Sequence, residues 1–221
     1  MQEVGNRMRT KCRTEHWGRE EVTLGTTIMA IQFRDGVILG ADTRTSMGTY
    51  VSNRVSRKIT KIANGIYTCR SGSAADTQAV AEIVSHRLHE QEVCYNEPPT
   101  VEDAATLAKK VIYQNSHLVA GMIIAGVDAE GSHVFSIPLG GTLIRQSCAI
   151  AGSGSIYMSG LCDQTYREDM TREEAIKFVR RAISHAIYRD NSSGGCIRMM
   201  IVTAEGTEEL FIPGSEISIT D

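Results

Sequence analysis

The sequence predicts a mixed α/β fold, α+β by its antiparallel content, with two stacked antiparallel sheets and helix pairs on the outside. Three observations predict it. Strand candidates come in groups, four before the first helix and four more before the second helix pair; a strict strand–helix alternation would instead build a parallel sheet. Turn pairs such as Asp35-Gly36 and Asn64-Gly65 join neighbouring strand candidates as hairpins. Helical periodicity occurs in two pairs of neighbouring segments, each carrying an apolar stripe suited to lie on a sheet.

The elements follow in order. Residues 26–33 alternate as a strand, Arg34-Asp35-Gly36 turns the chain, and 37–41 is a continuous apolar run. Strands over 58–63 and 66–69 flank Asn64-Gly65. The period then changes: 74–92 carries Ala75, Ala79, Val80, Ile83, Val84 and Leu88 at helical spacing. After Pro98-Pro99, a Thr-x-x-Asp capping pattern at Thr100 opens a second helix over 100–118. Strands are predicted over 122–128, 133–139, 143–146 and 148–151, helices over 155–165 and 172–190, and closing strands over 197–203 and 207–211 around Glu205-Gly206.

A chain of 221 residues, 42% hydrophobic and 22% charged, can bury the core of one domain. A net charge of −3 with scattered basic residues points to neither nucleic acid nor an anionic membrane surface. The longest apolar stretch, 120–127, is too short and too glycine-broken to span a bilayer. Cys12, Cys69, Cys94, Cys148, Cys162 and Cys196 form no C-x-x-C pair, and the six histidines show no ligand spacing, so no metal is expected. Reduced, mostly buried thiols and solvated or half-buried histidines are expected. The leader 1–25 mixes arginines with Glu3, Glu15, Glu20 and Glu21 and has no apolar core of signal-peptide length.

Taken singly, most polar candidates have ordinary explanations. Gly152-Ser153-Gly154-Ser155 lacks the lysine of a phosphate-binding loop and reads as a turn that caps the next helix at Ser155. Ser192-Ser193-Gly194-Gly195 reads as the turn after a helix. Asp42 at a strand end and Lys58 at a strand start read as solvated groups. Thr26 is different, because the strand pattern begins abruptly at Thr26-Thr27 behind Gly25 and a polar leader. Cleavage of the Gly25–Thr26 bond gives Thr26 a free α-amine with a pKa of about 8, so nucleophile and general base arrive on one residue.

The strings TTIMAIQFRDGVILGADTRT, RSGSAADTQ, GSGS and RDNSSGG closely resemble catalytic beta subunits of the 20S proteasome, N-terminal nucleophile hydrolases activated by loss of a propeptide. The resemblance runs from Thr26 to near the C-terminus. It implies a four-layer α-β-β-α sandwich, with 1–25 a propeptide and 26–221 a single domain. It implies Thr26 as nucleophile, Asp42 and Lys58 as its charge unit, the Gly72 N–H as oxyanion donor, and Ser153, Asp190 and Ser193 around the amine. It further implies a caspase-like specificity pocket with Arg70 at its base, lined at Thr45, Ser46, Ser56, Thr60 and Ala74. Strand alternation puts Arg70 and Gly72 on one side of their strand.

The reaction so implied is peptide-bond hydrolysis after acidic residues through an acyl-enzyme, with no cofactor and no metal. The implied partners are the other beta subunits of a seven-membered ring, an adjacent alpha ring and unfolded protein substrates, with no nucleic acid and no membrane. The implied location is cytoplasm and nucleus, in ATP- and ubiquitin-dependent degradation. Two alternatives stand beside this reading: a non-catalytic subunit of the same particle, which would lack the threonine or the lysine, and a different N-terminal nucleophile hydrolase.

Overall fold

The computed structural model describes residues 25–47 and 50–218; the leader up to residue 24, with Cys12 and His16, lies outside them. The chain runs through β1 (Ile28–Phe33), β2 (Gly36–Asp42), β3 (Thr45–Met47), β4 (Tyr50–Asn53), β5 (Ile59–Ala63) and β6 (Ile66–Gly72) before α1 (Ala74–Tyr95) and α2 (Val101–Gln114). It continues with β7 (Ala120–Asp128), β8 (Gly131–Ile137), β9 (Ile144–Arg145), β10 (Cys148–Ala151), α3 (Ser159–Thr165), α4 (Arg172–Arg189), β11 (Ile197–Thr203) and β12 (Gly206–Ile212).

Two five-stranded sheets, β10-β1-β2-β11-β12 and β5-β6-β7-β8-β9, are antiparallel throughout. Val37, Leu39, Cys69 and Ile123 meet in the core between the sheets, while Ile38 and Met29 face Val179 and Ile183 of α4 on the other side of β1 and β2. Ile124, Val84 and Ala105 belong to the core that seats α1 and α2 on the second sheet. This is the expected four-layer order. It explains why β2 is a continuous apolar run: both its faces are covered, so every residue from Gly36 to Asp42 is buried. Full burial of a side chain such as Ile38 contributes about 1.5–3 kcal/mol. At Gly40, a Cβ would stand 2.6 Å from both Val179 and Ile183, so α4 packs directly on that backbone.

Register decides where polar residues gather. Ile28 pairs Ala151 and Ala41, and Ile197 pairs Asp42. The start of β1, the ends of β2 and β10 and the start of β11 therefore share one end of their sheet. Gly72, at the end of β6, pairs Ala120 of the other sheet.

Several expectations need correction. The first strand starts at Ile28, because the Thr27 N–H is taken by the Asp42 side chain and not by a strand partner. The hairpin β3–β4 was not expected; it is short, and β4 is largely exposed, so it shows no apolar alternation. The helix expected over 155–165 is a 3₁₀ turn, Ser153–Tyr157, followed by α3, and Ser155 Oγ donates to the Gly152 carbonyl instead of capping a helix. The second helix stops at Gln114, four residues early, although the Thr100–Asp103 capping box forms as expected. On α1 the buried face is Thr77, Val80, Ala81, Val84 and Leu88, while Ala75, Ala79 and Ile83 form an exposed stripe, because two stripes satisfy the same period. Among the described cysteines only Cys69 and Cys162 are buried and Cys94 is exposed. His133 is buried against Asp128 and Arg145, an exception to the solvated or half-buried setting expected of most histidines.

Candidate active site

The site grows from the junction of Gly25 and Thr26. Thr26 is 5% exposed, and its neighbours come from both sheets. Lys58, immediately before β5, reaches under it with a side chain 8% exposed. The lysine Nζ donates to Asp42 Oδ1 at 2.6 Å, Thr26 Oγ1 at 3.2 Å and the Gly25 carbonyl at 3.4 Å, so three ammonium protons meet three acceptors. Thr26 Oγ1 donates in turn to the Gly25 carbonyl at 2.6 Å. A Cβ on Gly25 would stand 2.1 Å from the Ser192 carbonyl, so only glycine can hold that carbonyl against the threonine hydroxyl.

Asp42 is fully buried and far from the solvated role its sequence position suggests. Its Oδ1 accepts from the Thr27 N–H at 2.9 Å as well as from Lys58, and Oδ2 accepts from the N–H groups of Arg44 at 3.2 Å and Gly194 at 3.0 Å. Burial pushes the Lys58 ammonium below its ordinary value; contact with Asp42 and the charge of Asp190 oppose that shift, and Arg44 adds to it. An ammonium that parts with its proton more readily than usual, fixed beside a hydroxyl, is suited to stabilise a developing alkoxide.

The backbone nitrogen of Thr26 faces a second group. It donates to Ser153 Oγ at 3.1 Å; Ser153 Oγ donates to Asp190 Oδ2 at 2.7 Å, and Ser193 Oγ donates to the same oxygen at 2.6 Å. Asp190 Oδ1 accepts from the Ser192 N–H at 3.1 Å. The two turns that read locally as structural are thus both turns and walls of the site.

Thr26 opens into a cavity of about 360 Å³. Of the residues expected to bind substrate, Thr45, Ser46, Ser56, Arg70 and Ala74 line it, together with Lys58 and Gly72. Thr60 stands behind this wall and accepts from Arg70 Nε at 3.1 Å, while Arg70 Nη2 donates to the Arg57 carbonyl at 2.7 Å. These two bonds aim the half-buried guanidinium, whose pKa burial lowers from its usual value. Ser46 Oγ is buried without a partner among the described residues. Gly72 has φ +101°, and a Cβ there would meet the Val119 carbonyl at 2.4 Å, so any side chain would push this wall of the cleft. Arg57, Thr77 and Gln78 also line the cavity and were not singled out from the sequence. The helical spacing Ala74-x-x-Thr77-Gln78 after RSGS was the available signal for the latter two.

Comparisons with known proteins agree in direction. The family model described as "Proteasome subunit" matches residues 22–202. Probable proteasome subunit beta type-1 of Schizosaccharomyces pombe is 49% identical over 193 residues, 86% of this chain and 85% of that protein. Proteasome subunit beta type-1 of Saccharomyces cerevisiae is 50% identical over 192 residues, 86% of this chain and 89% of that protein. Proteasome subunit beta type-6 of Dictyostelium discoideum is 46% identical over 205 residues, covering 91% and 95%.

Proposed function

Because the chain belongs to the proteasome subunit family, as a beta-type member, we propose that it is a threonine endopeptidase of the 20S core that cuts after acidic residues. The observation that carries this reading is the placing of Lys58 Nζ 3.2 Å from Thr26 Oγ1 and 2.6 Å from a fully buried Asp42. A non-catalytic subunit has no need of that arrangement.

Maturation begins at Gly25–Thr26. Thr26 Oγ attacks the Gly25 carbonyl carbon, its proton passes to the departing Thr26 nitrogen, and water hydrolyses the resulting ester to leave a Gly25 carboxylate and a free Thr26 amine. The contact of Thr26 Oγ1 with the Gly25 carbonyl at 2.6 Å supports this step. In turnover, Thr26 Oγ attacks the scissile carbonyl and the free amine takes the proton. The oxyanion meets the Gly72 N–H, and the amine returns the proton to the leaving nitrogen. Water then splits the acyl ester, with the amine again as base.

Specificity follows from the lined cavity. Arg70 offers paired donors to a carboxylate, and the small hydroxylic residues Thr45 and Ser56 leave room beside it. Assembly with other proteasome subunits follows from the family; seven-membered rings stacked with alpha rings, unfolded protein substrates delivered by an ATP- and ubiquitin-dependent route, and a cytoplasmic and nuclear location complete the proposal.

Particles carrying wild-type, Thr26→Ala or Arg70→Met chains, given fluorogenic peptides ending in Glu, Leu or Arg, test it. Thr26→Ala is expected to keep residues 1–25 and to lose Glu-directed hydrolysis. Arg70→Met is expected to lose about ten- to a hundredfold in that activity, the equivalent of ~1.5–3 kcal/mol for a charge-assisted bond. Glu-directed turnover that survives Thr26→Ala removes the nucleophile, and turnover unchanged by Arg70→Met removes the specificity reading.

A further inference from the structure

Thr27 has no role in the mechanism above, yet it is bonded to Asp42 directly and linked to Asp190 through Ser193. It is fully buried. Its N–H donates to Asp42 Oδ1 at 2.9 Å and its carbonyl accepts from the Asp42 N–H at 3.1 Å, which clamps it to the lysine side of the site. Its hydroxyl lies 2.8 Å from Ser193 Oγ, which ties it to the amine side. The hydroxyl is also confined sterically, because a Cβ on Gly154 would stand 1.9 Å from Thr27 Oγ1.

Counting protons assigns the direction of that last bond. Ser193 has one hydroxyl hydrogen, and Asp190 Oδ2, 2.6 Å away, is an acceptor only. With that hydrogen on the carboxylate, Ser193 can only accept from Thr27. The chain then runs one way, from Thr27 Oγ1 to Ser193 Oγ to Asp190 Oδ2, and Asp190 also receives the hydrogen of Ser153, which accepts from the Thr26 nitrogen.

We propose that Thr27 is a positioning residue: its hydroxyl holds the Ser193 hydrogen on Asp190 and so keeps the Thr26 amine weakly enough protonated to act as a base near neutral pH. This rests on the reading of Thr26 as nucleophile and base. A hydroxyl that accepts a hydrogen bond donates more strongly to its own acceptor. Loss of the Thr27 donor therefore weakens the Ser193 bond and leaves more negative charge on Asp190. Through Ser153, that charge favours the protonated amine. Among the described residues, the other charged groups around the site are Lys58 before β5, Asp42 of β2, Arg44 after it, and Arg57 and Arg70 across the cavity. The start of α1 adds Asp76, engaged by the Val119 N–H at 3.0 Å. All of them persist when only the Thr27 hydroxyl is removed.

The test uses assembled particles carrying Thr27→Val, Thr27→Ser or Thr26→Ala, with kcat/KM for a Glu-ending peptide measured across pH. Thr27→Val is expected to move the acid limb upward by about 0.3–0.7 pH unit, with a two- to fivefold loss at pH 7, recovery at higher pH and unchanged KM. Thr27→Ser, which keeps the hydroxyl and drops the methyl, is expected to restore the wild-type limb. If the valine chain does not assemble, Thr27→Ala against the same serine control gives the same readout. A limb that does not move, a loss uniform across pH, or a serine limb displaced as far as valine's overturns the inference. Residual hydrolysis by Thr26→Ala particles overturns the underlying reading of the site instead, so the two failures are distinct.

Discussion

Asp42 and Asp190 stand on opposite sides of Thr26, both buried, and they solve the same electrostatic problem differently. Asp42 is surrounded by four donors that cannot reverse: the ammonium of Lys58 and the backbone N–H groups of Thr27, Arg44 and Gly194. Asp190 has one fixed donor, the Ser192 N–H, and two hydroxyls that can turn around. It also follows directly on α4, where the helix dipole is unfavourable to an anion. One carboxylate is locked into the fold as a charge. The other sits in a chain whose protons can be redistributed, which suits the proposed role beside an amine base that gains and loses a proton.

The largest expected effect breaks the locked side. In Asp42→Asn the amide NH₂ replaces an acceptor with a donor, so it confronts either Lys58 and Thr27 or Arg44 and Gly194, and Lys58 loses its counter-charge. Breaking a buried pair from one side costs about 3–5 kcal/mol. Few particles are expected to assemble, those that do having a lowered melting temperature and no Glu-directed hydrolysis. Lys58→Ala leaves Asp42 with three N–H donors and is expected to assemble better while remaining inactive and unprocessed, with the residues before Thr26 still attached on N-terminal sequencing. Assembly and activity near wild type for Asp42→Asn would show that Asp42 is not held as a charge.

The same change on the other side is expected to do less. In Asp190→Asn the remaining oxygen can keep the Ser192 N–H, while the NH₂ donates to Ser153 and Ser193, whose hydroxyls reverse. Ser192 and Ser153 keep their partners and only one hydroxyl hydrogen of the Thr27–Ser193 pair loses its acceptor, so assembly should hold with a small fall in melting temperature. Turnover should fall about ten- to a hundredfold, because the hydrogen bonds that oriented the amine lose their charge, worth ~1.5–3 kcal/mol. Equal loss of assembly in the two Asp→Asn particles would erase the distinction.

The contrast also explains what the sequence made legible. The layered fold could be read because it depends on apolar period: β11 and β10 lie where expected, and α4 ends within one residue of expectation. β3–β4 could not be, because β3 is three residues long and β4 is largely exposed, which leaves no apolar pattern to read. For the site, Asp42 and Lys58 each read as surface groups, and their coming together depends on strand register across both sheets. Only the abrupt start at Thr26, and the family resemblance it led to, picked them out. Thr27 was missed for a related reason: a threonine opening a strand looks like ordinary β propensity, and its role lies in a hydroxyl 166 positions from its partner.

The smallest of these three effects sharpens the account of Asp190. Ser193→Ala removes one of its two hydroxyl donors and leaves the Ser153 Oγ bond at 2.7 Å and the Ser192 N–H bond at 3.1 Å. Ser193 is buried, so alanine opens only a hydroxyl-sized gap, but the Thr27 hydroxyl loses its acceptor. A single intramolecular hydrogen bond contributes about 1 kcal/mol net, so kcat/KM is expected to fall roughly five- to tenfold, with assembly intact. If Ser193 acts through the charge of Asp190, its removal should cost less on an Asp190→Asn background, where no anion is left to stabilise. A double-mutant cycle on kcat/KM measures that difference. Coupling near zero would mean that Ser193 serves the turn and not the carboxylate, and the reversible side of the site would then reduce to Ser153 and Asp190.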